Sequence, residues 1–162
     1  MTMFQSTRRI LGSITIASSL LIAGCAEEAP VEEEVVGVPG MTIENARMVL
    51  APVAGNPAAI YFDLKYEGER GLAISRAEVA DAASATLHDY GEYDFKVQMM
   101  EALPIPITKG TTVSFEPSAK HVMAFDVSPD LKPGDMAEVT LGVSGGGTHT
   151  FEAEVRAAGD ER

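Results

Sequence analysis

Residues 58–66 read Ala58-Ala59-Ile60-Tyr61-Phe62-Asp63-Leu64-Lys65-Tyr66, and this stretch decides the fold class. Ile60, Phe62, Leu64 and Tyr66 fall on one parity, and Asp63 and Lys65 on the other. Successive side chains of a strand point to opposite faces, so this alternation marks a half-buried strand and not a helix. The pattern recurs. In Thr148–Arg156, Phe151, Ala153 and Val155 are predicted to face in, with Thr150, Glu152, Glu154 and Arg156 facing out. In Tyr93–Met100 it puts Phe95, Val97 and Met99 on the inward face, opposite Asp94, Lys96, Gln98 and Met100. Thr111–Phe115, His121–Val127 and Met136–Val143 are further strands, with Met41, Met48 and Met136 expected to pack on them. Only Ala77–Ala85 could form a short helix.

Turn signals punctuate these runs about every ten residues. They include Gly55-Asn56-Pro57, Gly91-Glu92, Lys109-Gly110, Glu116-Pro117-Ser118 and Lys132-Pro133-Gly134-Asp135. Short strands separated in this way predict an all-β antiparallel sandwich or barrel. The chain has 162 residues, enough for one ordinary domain. It carries 24 acidic against 12 basic residues, a formal charge of −12, which phosphates would repel, so no nucleic-acid partner is expected. No catalytic Ser-His-Asp arrangement, zinc-hydrolase motif or phosphate loop is present in the sequence, and an enzyme is not expected.

The first 24 residues read as an export signal. Arg8-Arg9 precedes an apolar run from Ile10 to Ala23 that is short for a membrane span. The run ends Leu21-Ile22-Ala23-Gly24-Cys25, which resembles the lipobox of bacterial lipoproteins. That resemblance implies cleavage before Cys25 and lipidation of its sulfur and amine, enough acyl chain for a firm membrane anchor. Ala26, where an inner-membrane retention signal would place Asp, favours an outer-membrane anchor on the periplasmic side. Residues 25–40 then hold the lipidated Cys25 and an acidic linker with five Glu and two Pro, self-repelling and extended. The folded domain is expected at 41–157, with a short tail at 158–162.

Four residues stand at a fixed spacing: His88, ten residues, Met99, twenty-one residues, His121, one residue, Met123. Singly, Met99 and Met123 fit core packing, and each histidine fits an ordinary surface or core position. Jointly they offer two imidazoles and two thioethers. These neutral, rather soft donors suit Cu(I), whereas Ca²⁺ and Mg²⁺ take oxygen and Zn²⁺ takes Cys, His or carboxylate. His121 and Met123, two apart on a strand, point to one side. His88 and Met99 can flank one hairpin whose turn lies at Tyr90–Tyr93, so the site would sit where two hairpins meet. With 3 His and 8 Met in the chain, such a preset match arises by chance on the order of once in ten thousand.

The spacing His-x10-Met-x21-His-x-Met is similar to that of the periplasmic copper chaperones of the PCuAC family. Pro104-Ile105-Pro106, Lys109-Gly110-Thr111-Thr112-Val113 and Leu131-Lys132-Pro133-Gly134-Asp135 look like that family's turns. The resemblance covers about residues 41–156. It implies a cupredoxin-like Greek-key β-sandwich binding Cu(I) through His88, Met99, His121 and Met123. It also implies a monomeric carrier that supplies a copper-accepting oxidase subunit, of the Cu(A) type, or another copper or thiol-disulfide assembly protein. The alternative is a metal-free β-sandwich lipoprotein acting as an assembly or adhesion module. Two departures stand out. Met100-Glu101-Ala102 replaces the family's Arg-Pro-Val, and Ser118-Ala119-Lys120 replaces its Gly-Gly. The His- and Met-rich tail of some members is missing, and His149 lies outside the ligand pattern, as a strand-end histidine.

Overall fold

Alternation along residues 58–66 is realised as strand β2 (Ala58–Tyr66), with Ala58, Ile60, Phe62, Leu64 and Tyr66 all buried. The computed structural model describes residues 37–145 and 147–160. The export signal and Cys25 therefore lie outside the described residues. The other strands are β1 (Met41–Val49), β3 (Leu72–Val79), β4 (Ala82–Tyr93), β5 (Lys96–Glu101), β6 (Ile105–Ile107), β7 (Thr111–Phe115), β8 (His121–Val127), β9 (Met136–Ser144) and β10 (Gly147–Arg156). No helix occurs among the described residues.

The strands join in the order β5-β4-β8-β2-β1-β10-β9-β3-β6, with β7 also pairing β2. A short connection shows why this sheet cannot be flat. β3 and β4 stand six places apart in that order, about 29 Å at a strand spacing of ~4.8 Å. Yet only Ala80 and Asp81 link them, and three Cα steps reach at most about 11 Å. The sheet must roll over on itself. Its inner side holds Ile60, Leu64, Ile74, Val122, Val139 and Leu141, each essentially inaccessible to water. Phe62 lies at the centre of this core. Its ring stacks on Phe115 at 4.1 Å and meets Phe151 at 5.0 Å.

The structure corrects five sequence expectations. The sheet is mixed: β1 and β10 run parallel, a pairing that strands far apart in sequence can make without a crossover helix. The short helix at Ala77–Ala85 is strand, turn and strand, because Ala77 and Val79 are buried while Glu78 and Ala80 are exposed. The turn joining His88's strand to Met99's strand lies at Asp94–Phe95, not at Tyr90–Tyr93. Both turn residues have positive φ, 51° and 58°, as a two-residue hairpin requires. Finally, Phe95, Val97 and Met99 do not face the core. They lie at the tip of the β4–β5 hairpin and on β5, at the end of the strand order, with Phe95 94% and Val97 73% exposed. Met136 is also exposed, whereas Met41 and Met48 are buried.

The body begins before β1. Val38 is buried, and its backbone N–H donates to His149 Nδ1 at 3.2 Å. Gly37 leaves room for that imidazole, since a Cβ there would lie 2.5 Å from Nδ1. His149 thus fastens the entering chain to β10. Burial holds its pKa below the ordinary histidine value of about 6.5.

Phe62→Ala is expected to cost about 3–5 kcal/mol, read as a shift in denaturant midpoint at unchanged slope. The stabilisation from neutral His149 is intact above about pH 6.5 and is lost as pH falls toward the lower folded value, because the unfolded chain takes the proton first. Stability of the His149→Gln variant, which keeps an acceptor but cannot titrate, is expected to fall less steeply between pH 7 and pH 5.

Candidate metal centre

β4 and β8 pair antiparallel, with His88 directly opposite His121 and Thr86 opposite Met123. β5 pairs the other side of β4, with Met99 opposite Tyr90 and Glu101 opposite His88. Side chains directly opposite in a ladder lie on one face. His88, Met99, His121 and Met123 therefore share a face across three adjacent strands. Their neighbours Leu87 and Val122 point the other way, into the core. The face carrying the four residues is thus the outer one.

His121 is the fixed point of the cluster and is only 5% exposed. Its Nδ1 lies 2.8 Å from the carbonyl oxygen of Ala119. A carbonyl only accepts, so Nδ1 carries a proton, and in the neutral ring Nε2 keeps its lone pair. That lone pair faces Met99 Sδ at 3.2 Å. Neither atom then has a proton to give, so the contact is a meeting of two donors and not a hydrogen bond. A tetrahedral ion about 2.0 Å from nitrogen and about 2.3 Å from sulfur would hold them roughly 3.5 Å apart, close to the spacing found. The His88 ring stands edge-on to His121, with centroids 5.8 Å apart. Its Nδ1 is buried and has no hydrogen-bond partner among the described residues, a polar atom that an ion would satisfy with the ring proton on the other nitrogen.

Electrostatics keep His88 neutral. Burial lowers its pKa first and the adjacent His121 lowers it further, while Glu101 opposes both. Neutral imidazole is the ligating form. On the opposite face, Lys120 bonds Asp89 at 2.7 Å and ties the start of β8 to β4 beside both histidines. Such a half-exposed pair is worth at most about 1 kcal/mol, so it supports the register without setting it. Met100 also lies on that opposite face and covers Gly91: its Cε is 2.8 Å from where a Cβ would stand.

The structure brings Met99 against His121 and places His88 beside it. Met123 shares the face, two residues further along β8 and opposite Thr86. His149 is remote from them, on β10 beside Val38. Three participants had no signal in the spacing. Tyr61 and Tyr90 stand 6.3 Å and 6.0 Å from the His121 ring, and the Ala119 carbonyl sets its tautomer. Tyr90 could have been found as the residue two along from His88 on the same face; a backbone carbonyl leaves no mark in a sequence. Among the described residues, no three His, Cys, Asp or Glu side chains gather as a metal site, so a site here requires the thioethers.

A rolled all-β domain with imidazoles and thioethers on an outer sheet face defines the class: a cupredoxin-like fold with a soft-donor cluster. The chain belongs to the LpqE-like lipoprotein family, whose profile matches residues 41–155. No match was found among curated proteins. Among solved structures, the copper-bound PCuAC domain from PmoF2 is 25% identical with a TM-score of 0.59, covering 74% of this chain and 95% of that one. The apo PCuAC domain from PmoF1 is 22% identical with a TM-score of 0.61, covering 74% and 96%. The Cu(I) form of DR1885 from Deinococcus radiodurans is 23% identical with a TM-score of 0.58, covering 85% and 89%. The fold expected from the resemblance is therefore the fold found.

A long-range ¹H–¹⁵N spectrum of the copper-free chain at neutral pH is expected to show the His121 proton on Nδ1. A proton on Nε2 would remove that atom from the donor set.

Proposed function

We propose that the chain is a Cu(I) carrier that binds the ion through His88, Met99, His121 and Met123. The observation that carries this reading is the His121 Nε2 to Met99 Sδ contact of 3.2 Å, with the other ring nitrogen committed to Ala119. Two lone pairs face each other where an ion would join them. The copper-bound PCuAC domain from PmoF2 and the Cu(I) form of DR1885 support the choice of ion. So does the chemistry, since thioether and imidazole favour Cu(I) over hard cations.

The position of the site fits carriage and not catalysis. Met99 is 43% exposed, on a strand at the border of the sheet. An acceptor's thiolate or imidazole can approach from outside and displace Met99 first. Copper stays monovalent throughout; one copper–sulfur bond breaks as one bond to the acceptor forms, and a thiol's proton leaves to water. Neutral ligands hold the ion without a thiolate's grip, which permits release. We further infer that export and lipidation at Cys25 place the carrier on the periplasmic side of a membrane. There it delivers copper to an oxidase subunit of the Cu(A) type or to an assembly protein, or buffers copper.

Anaerobic competition with a chromophoric Cu(I) chelator is expected to show one ion per chain. Met99→Ala and Met123→Ala are each expected to weaken binding about tenfold or more, a loss of about 1.4 kcal/mol. Absence of stoichiometric binding in the unaltered chain would leave a metal-free module as the better description.

A further inference from the structure

We propose that the outer edge of β5 is a docking site for an extended, basic strand of a partner protein, which adds to the sheet beside the metal centre. That the partner is the copper acceptor rests on the function proposed above; the docking edge itself does not.

The direction of the backbone groups follows from the hairpin. A two-residue turn closes on a hydrogen-bonded pair, here Tyr93 with Lys96. Hydrogen-bonded pairs then recur at every second residue, and Ala102 N–H donating to the Leu87 carbonyl at 2.8 Å keeps that phase. Lys96, Gln98 and Met100 thus spend their backbone groups on β4. The N–H and C=O groups of Val97, Met99 and Glu101 point outward. These are the residues whose side chains lie on the metal face.

Sheet edges invite foreign strands, and proteins usually blunt them. Among the described residues, three strands have one partner each: β5, β6 and β7. β6 is three residues long with Pro106 at its centre. β7 exposes only Thr112 and Ser114. β5 has neither proline nor bulge, and all six of its residues are exposed, Val97, Met99 and Met100 among them. The open edge is the one that carries Met99. At the end of that edge Phe95 adopts a left-handed φ of 58°, an unusual and costly choice for a bulky residue, and stands almost wholly in solvent.

Charge selects the occupant. Glu92, Asp94 and Glu101 surround this edge against Lys96 alone, and none of the four is in an ion pair among those described. A second copy would double those carboxylates and be repelled. A strand alternating basic and apolar residues would meet the carboxylates and cover Val97 and Phe95. Its residue opposite Met99 would sit about 5.5 Å away, Cα to Cα, on the metal face, within reach of the same ion.

The probe is a synthetic ten-residue peptide alternating lysine and valine, added to the full chain without copper. Amide exchange at Val97, Met99 and Glu101 is expected to slow at least about tenfold, while a glutamate–valine peptide leaves it unchanged. Val97→Pro removes an outward N–H without touching the β4–β5 ladder, and is expected to abolish the protection. Should that variant fold poorly, the exposed pair Glu92→Lys and Glu101→Lys is expected to weaken the lysine peptide about tenfold or more. Three results would overturn the proposal: exchange unaffected by the lysine peptide, protection that survives Val97→Pro, or protection that rises with chain concentration alone and so marks a second copy. In the Cu(I)-loaded chain, a lysine–valine peptide with one central cysteine is expected to withdraw copper at least about tenfold faster than its glutamate–valine counterpart. Equal rates, with docking intact, would separate the edge from copper handling.

Discussion

The register between β4 and β8 is the constraint from which the site follows. His88 stands opposite His121 because Leu87 and Val122 stand opposite each other on the buried side. A slip of one residue would turn the slipped strand over, driving its histidine into the core and pushing its Leu87 or Val122 into water. The hydrophobic effect, acting on residues with no role in binding, thus sets two imidazoles side by side on the outer face. The same logic continues onto β5, where Met99 arrives on that face by counting in twos from the Asp94–Phe95 turn.

Within that frame, the tautomer of His121 is decided by a backbone group. Ala119 lies just before β8, where its carbonyl is not used by a ladder and can accept from Nδ1. A nearly buried imidazole could otherwise present either nitrogen. Fixing the proton on one side orients the His121 ring, and beside it stands His88, whose buried Nδ1 has no partner among the described residues.

Much of this was legible in the sequence, and the parts that were not share a cause. Alternation located β2 and β10, because each has one buried face and the pattern reports burial directly. The shared face of His121 and Met123 needed only the period of a strand. The same reading misplaced Phe95, Val97 and Met99, since alternation shows that a strand has an apolar face but not what covers it. Here nothing does. The parallel β1–β10 pairing was equally hidden, because partner choice between distant strands is a property of the rolled sheet and not of either segment. As for the site, spacing pointed to four residues; the outer face, the two tyrosines and the Ala119 carbonyl needed coordinates.

The exposure of the β4–β5 hairpin sets two requirements against each other. In the carrier proposed above Met99 must be reachable, and it is 43% exposed where Met48 is wholly buried. A fully exposed apolar edge, however, is a hazard for association. The chain meets the second requirement with charge: carboxylates at Glu92, Asp94 and Glu101 repel another copy of the same acidic molecule. Proline would have blunted the edge more simply, as Pro106 does on β6, but it would have closed it to every strand alike. Charge discriminates where proline cannot. An edge defended by sign alone stays open to a strand of the opposite sign, so on the docking proposed above selectivity would lie in the strand that bears Met99.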